Sequence, residues 1–131
     1  MDPREQRAIV ERYWAAMQTN DWRAAAAFLH EDYVLEWPQS GEIVRGRENF
    51  IAINANYPAA GRWHFTINRI VADEGGVVSD VGVTDGAIVA RAITFSTIRD
   101  GKFSHQTEFW PDPTEPHAWR AQWVERIGAE G

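Results

Sequence analysis

An α+β fold, with helices laid on one face of a strongly curved antiparallel sheet, is what this 131-residue sequence predicts. Three observations lead there. Apolar residues recur at helical spacing near the N-terminus. The middle of the chain is a series of runs rich in β-branched residues, separated by glycine-containing turns. Helical spacing then returns near the C-terminal end. The length suits one domain, residues 1–131, large enough to bury a core and too small for two.

From Arg4 to Gln18 the residues Ile9, Val10, Tyr13, Trp14 and Met17 fall on one helical face. Asn20 or Asp21 then caps a second helix, DWRAAAAFL, rich in the best helix former. YVLEW reads as a short strand ending at Pro38, and QSGEIVRG as a loop or a second short strand. GRENFIAINANY restarts a helix that Pro58 stops. RWHFTINRIVAD, GVVSDVGVTD, GAIVARAITFSTIRD and GKFSHQTEFW follow as four strands. In the final segment, EPHAWRAQWVERI, residues Trp119, Trp123 and Ile127 stand at i, i+4 and i+8, which predicts a closing helix.

Composition narrows the functions available. A formal charge of −6 with no basic stripe argues against nucleic acid or an anionic membrane as partner. No run approaches a membrane span and the N-terminus lacks an apolar leader core, so a cytoplasmic location is expected. With no cysteine there is no disulfide, thiolate nucleophile or sulfur-bound metal, and His30, His64, His105 and His117 show no paired spacing. Neither a metal nor a cofactor is expected. Seven tryptophans are the unusual feature, since such side chains line cores, interfaces and pockets.

Turn chemistry fixes a register for the last strands. Asp85-Gly86 signals a type I′ hairpin that sets Asp80 opposite Arg91. Asp100-Gly101 gives the same signal, pairing Arg99 with Lys102 and, further out, Ile93 with Glu108. One face then carries Val78, Asp80, Val89, Arg91, Ile93, Phe95, Gln106, Glu108 and Trp110. Arg91 would lie between two carboxylates, Asp80 and Glu108, among apolar and aromatic neighbours. Buried, that set could perform acid–base chemistry; exposed, it is a routine cross-strand ion pair contributing under about 1 kcal/mol. The opposite face, Val77, Val81, Val83 and Ile88, is the more apolar and needs cover, which a second copy of the chain could give.

The stretches ERYWAAMQTNDWRAAAAFLHEDYVLEWP, VRGRENF, IRDGKF and TEFWPDP, in that order, resemble the SnoaL-like branch of the nuclear transport factor 2-like superfamily over nearly the whole chain. The resemblance implies a cone-shaped α+β barrel with an internal pocket for a small apolar or aromatic molecule, usually within a homodimer. Steroid isomerases of the superfamily imply a role for Tyr13 as a donor to a developing oxyanion. Their catalytic aspartate has no counterpart here, because Trp37 stands in its place, and their second acid falls near Thr94 or Phe95. SnoaL-like cyclases and limonene epoxide hydrolase imply a working carboxylate at Glu108, with Asp80 and Arg91 imitating the hydrolase's acid and arginine. Trp37, Asn54, His64, Ile93, Phe95, Gln106 and Trp110 are then the candidate substrate contacts. Two functions stay open: a carboxylate acid–base enzyme (cyclase, isomerase or epoxide-hydrolase-like), and a non-catalytic ligand-binding or dimerisation module on the same fold.

Overall fold

The structure is a computed structural model and describes residues 1–128. Three α-helices and six strands follow in the order α1 (Pro3–Gln18), α2 (Trp22–Ala26), β1 (Leu29–Trp37), β2 (Glu42–Arg45), α3 (Gly46–Asn56), β3 (His64–Asp73), β4 (Gly76–Thr84), β5 (Val89–Arg99) and β6 (Lys102–Phe109). Asp2 caps α1 by accepting from the Arg4 amide at 2.7 Å, with Pro3 in the first turn where it costs no hydrogen bond. Asp21 caps α2 in the same way through the Ala24 amide. The second helix is shorter than its alanine content suggests, because Leu29 already belongs to β1 and is fully buried there.

The six strands form one open, curved sheet in the order β2-β1-β6-β5-β4-β3. All neighbours run antiparallel except β1 and β6, which are parallel, so the sheet is mixed where an antiparallel one was expected. α1 lies across β3 and β4, and α3 packs on β1. The Val77, Val81 and Val83 face is therefore covered from within the chain and its three valines are buried, which removes the need for a second copy on that side.

Both hairpin registers differ from the turn count, for separate reasons. Asp100-Gly101 forms the expected two-residue turn, with φ of 54° and 76° and Arg99 opposite Lys102. Ser104 is then an extra residue: Ile98 pairs with Phe103 but Thr97 with His105. That bulge moves the strand on by one, so Glu108 pairs with Thr94 and Gln106 with Ser96. Asp85-Gly86 is not a two-residue turn. Asp85 keeps a negative φ and its carboxylate instead accepts from the Ala87, Ile88 and Ala60 amides, making a four-residue loop between Thr84 and Val89. Asp80 consequently faces Ile93, and Arg91 faces Gly82.

Each face of the sheet is now assigned. Ser79, Thr94 and Glu108 form one inward row across β4, β5 and β6, and Val77, Ser96 and Gln106 form the next. Asp80, Arg91, Ile93 and Phe95 point outward. The single face expected to carry all of these residues is split by the Ser104 bulge.

The segment after β6 also departs from expectation. Only a short 3₁₀ turn, Ala118–Trp123, forms in place of a closing helix, and Trp119, Trp123 and Ile127 are exposed. A lone stretch of this length gains too little from its own hydrogen bonds to hold a helix without a surface to pack on.

Candidate functional site

Between the inward face of the sheet and the helices lies a cavity of about 690 Å³. α1 contributes Tyr13, Trp14 and Met17, and α3 contributes Phe50, Ile53 and Asn54. Trp63 and Phe65 enter from the start of β3, and Leu35 and Trp37 from β1. Gln106, Glu108 and Trp110 line it from β6 and its exit. This is the usual make-up of a small-molecule site, mostly apolar and aromatic with a few convergent polar groups.

Glu108 is buried, at 8% exposure, and each of its oxygens is held. Oε1 accepts from the indole N–H of Trp37 at 3.1 Å and of Trp110 at 3.0 Å, while Oε2 accepts from the Thr94 hydroxyl at 2.7 Å. An indole nitrogen only donates, so Oε1 is an acceptor whatever the protonation state. A proton on Glu108 therefore belongs to Oε2, from which it can reach the Thr94 oxygen or the cavity. Burial pushes the carboxyl above its ordinary pKa, and the hydrogen bonds from Thr94, Trp37 and Trp110 pull the other way. Among the described residues no cation takes part.

Beside this group the inward row is polar and fully paired. The Tyr33 hydroxyl donates to Gln106 Oε1 at 2.6 Å, and Gln106 Nε2 donates to Ser96 Oγ at 3.0 Å. Trp14 Nε1 donates to Ser79 Oγ at 3.2 Å. Among the described residues no buried side-chain nitrogen or oxygen lacks a partner. The Tyr13 hydroxyl makes no such bond, so it opens on the cavity, with its ring fixed edge-on by Trp14 and Phe103 at 5.0 and 5.1 Å. Burial, and then the charge of Glu108, holds Tyr13 well above its ordinary pKa, so it stays a neutral donor.

The sequence-predicted residues divide accordingly. Glu108, Tyr13, Trp37, Asn54, Gln106 and Trp110 line the cavity together. Asn54 bonds back to the Phe50 carbonyl through Nδ2, leaving its amide oxygen for a ligand. Asp80 and Arg91 do form the expected pair, through Nε to Oδ1 at 2.7 Å and through Nη2 to Oδ2, but on the outer face, where the Arg91 side chain is 58% exposed. Ile93 and Phe95 leave the site with them. His64 is exposed and turned out beside Gln18, because alternation sends its neighbours Trp63 and Phe65 inward. Sequence reasoning missed Thr94, whose place opposite Glu108 depends on the bulge. It also missed Trp63 and Phe65, whose strand began without a fixed register.

Among the described residues no group of three or more histidines and acids could hold a metal ion. Nor, among those residues, is any helix long and apolar enough to cross a membrane.

Comparison with known proteins adds to this geometry. A solved structure from Kribbella flavida DSM 17836, described provisionally as a ketosteroid isomerase, is 34% identical over 98% of this chain and 94% of its own, with a TM-score of 0.87. A nuclear transport factor 2-like protein of unknown function from Burkholderia xenovorans LB400 is 29% identical over 95% and 97%, with a TM-score of 0.77. An epoxide hydrolase from M. tuberculosis, similar to limonene epoxide hydrolase, shares the fold at 19% identity over 83% and 84%, with a TM-score of 0.67. No curated protein matches the sequence. The SnoaL-like domain profile matches residues 10–106, most of the chain, from within α1 to within β6, and the chain belongs to the SnoaL-like domain family.

Proposed function

We propose that the chain is an enzyme in which Glu108 moves a proton on a small, mostly apolar substrate held in the cavity. The observation that carries this reading is a buried carboxylate on the cavity wall whose Oε1 is fixed by two indole donors and whose Oε2 is the one oxygen able to carry a proton. Tyr13, neutral and open to the cavity, supplies a donor for charge developing on substrate oxygen.

One buried carboxylate acting by itself suits an isomerisation or cyclisation, in which a single base takes a proton and returns it, so nothing is consumed. Epoxide hydrolysis through an acid, an arginine and a base is less well served, because Asp80 and Arg91 lie outside the cavity. Pure ligand binding is the remaining alternative, and the same experiment addresses it.

The test follows α-carbon deuterium exchange of enolisable cyclic ketones in D₂O by NMR. Wild-type protein should accelerate exchange of at least one such ketone. Glu108→Gln should lower that rate by on the order of 10²–10⁴. Arg91→Ala should leave it within about twofold, since an exposed pair of this kind does not reach the site. Equal rates for wild type and Glu108→Gln would remove the acid–base role and favour the binding module.

A further inference from the structure

The charge on the cavity wall is of one sign. Its ionisable groups beyond the tyrosines are the buried Glu108 and the exposed Asp112; no lysine, arginine or histidine lines it among the described residues. The other walls are unusually aromatic, with four tryptophans: Trp14, Trp37, Trp63 and Trp110. We infer that the natural ligand carries a cationic nitrogen, a protonated tertiary amine or a quaternary ammonium, held between these indoles and the Glu108 carboxylate. The inference rests on the reading of this cavity as the substrate site and names the class of substrate.

Three steps support it. An ionised carboxylate accepts about four hydrogen bonds, and the protein supplies three, two to Oε1 and one to Oε2. All three donors are neutral, so the negative charge is solvated but not balanced. A neutral ligand that fills the cavity would drive water from that charge and leave it buried without a countercharge, whereas a cation supplies one. An anion would face repulsion from Glu108 and Asp112 together. The indoles add a second, independent preference, because ring faces attract cations and tryptophan does so best. Trp37 and Trp110 already turn their N–H edges to Glu108, so what they offer a ligand is the carbon framework of the ring.

A consequence follows for the chemistry. Burial alone favours the protonated carboxyl, and a cation bound beside it favours the carboxylate. The substrate would thus put Glu108 into its base form on arrival.

Three probes of nearly one shape separate the possibilities: benzyltrimethylammonium, its uncharged carbon isostere 2,2-dimethylpropylbenzene, and the anion 3-phenylpropanoate. Binding is read from tryptophan fluorescence and by calorimetry near pH 8, where a carboxyl is ionised unless its pKa is raised far above the usual value of about 4.3. The cation should bind at least about tenfold tighter than the isostere, and the anion weakest. In Glu108→Gln the cation's advantage should fall to about threefold or less while the isostere's affinity changes little. In wild type the cation's affinity should rise with pH as Glu108 ionises, and the isostere's should not, a readout that needs no variant. Equal binding of cation and isostere, tighter binding of the anion, or no binding of any probe at millimolar concentration would overturn the inference. Cation preference alongside unchanged ketone exchange in Glu108→Gln would retain the ligand class and discard the acid–base role. The opposite pair of results would do the reverse.

Discussion

Glu108 is built so that an amide can replace it without changing the hydrogen-bond pattern. A glutamine oxygen in the Oε1 position accepts from Trp37 and Trp110, and its NH₂ in the Oε2 position donates to Thr94. Glu108→Gln therefore isolates ionisation from shape. Because burial raises the folded-state pKa above its ordinary value, the folded chain holds this proton to higher pH than the unfolded chain. The stabilisation is complete below the unfolded value and is lost as pH rises through the folded one. Wild type should accordingly lose thermal stability relative to Glu108→Gln as the pH is raised from about 4, the ordinary carboxyl value, through the raised folded-state value. Parallel melting curves across that range would contradict the burial argument. Asp80 has the opposite sign: the hydrogen bond from Arg91 chiefly lowers its pKa, a stabilisation present at neutral pH and lost on acidification. On an exposed face its worth is small, about 0–1 kcal/mol.

Among the elements, the sequence was legible where one residue type has one physical reading. Ile9, Val10, Tyr13, Trp14 and Met17 are all buried along α1, as their spacing requires, and Asp100-Gly101 makes its predicted turn. It was illegible where a side chain competes with the backbone or where tertiary packing decides. Asp85 can serve a tight turn or accept from three amides, and only the position of Ala60 makes the second arrangement complete. The Ser104 bulge leaves no mark in hydrophobic alternation. It exists because Phe103 must enter the core against Tyr13 while Gln106 and Glu108, an odd count further on, must also face inward. Spacing likewise suggested a helix for Trp119, Trp123 and Ile127, but spacing does not supply a surface. These side chains stand 72%, 71% and 105% exposed, so truncation after Thr114 should leave the melting temperature of the isolated chain within about 2 °C, since exposed positions away from packed features usually contribute little. A fall of more than about 5 °C in a domain of this size would correspond to over 1 kcal/mol and would show that the segment packs against another surface.

For the molecule as a whole, the apolar surface left uncovered lies on the outer side of the sheet. Val71, Val78 and Phe95 are cross-strand partners there, with Val71 50% and Phe95 48% exposed, and Phe109 stacks edge-on with Phe95 at 6.1 Å. Val89, at 85%, extends the exposed apolar surface. Isolated apolar residues need no explanation on a soluble protein, but a contiguous patch across four strands does. A homodimer through the sheet is the occupant proposed for it, on the face opposite the one first expected, since the Val77, Val81 and Val83 side is closed by α1. The pairing would be isologous, the patch of one protomer lying on the same patch of its partner, so that one substitution is introduced twice into the interface. Light scattering at micromolar concentration should give twice the chain mass of 14.9 kDa for wild type. Phe95→Lys buries two like charges against each other in the dimer and strands no group in the monomer, so it should return the chain to 14.9 kDa with an unchanged fold by circular dichroism. The cavity lies on the other side of the sheet, and its binding of the cationic probe should survive that change within about threefold. A wild-type monomer would refute the pairing, and a Phe95→Lys dimer would move it to a different surface.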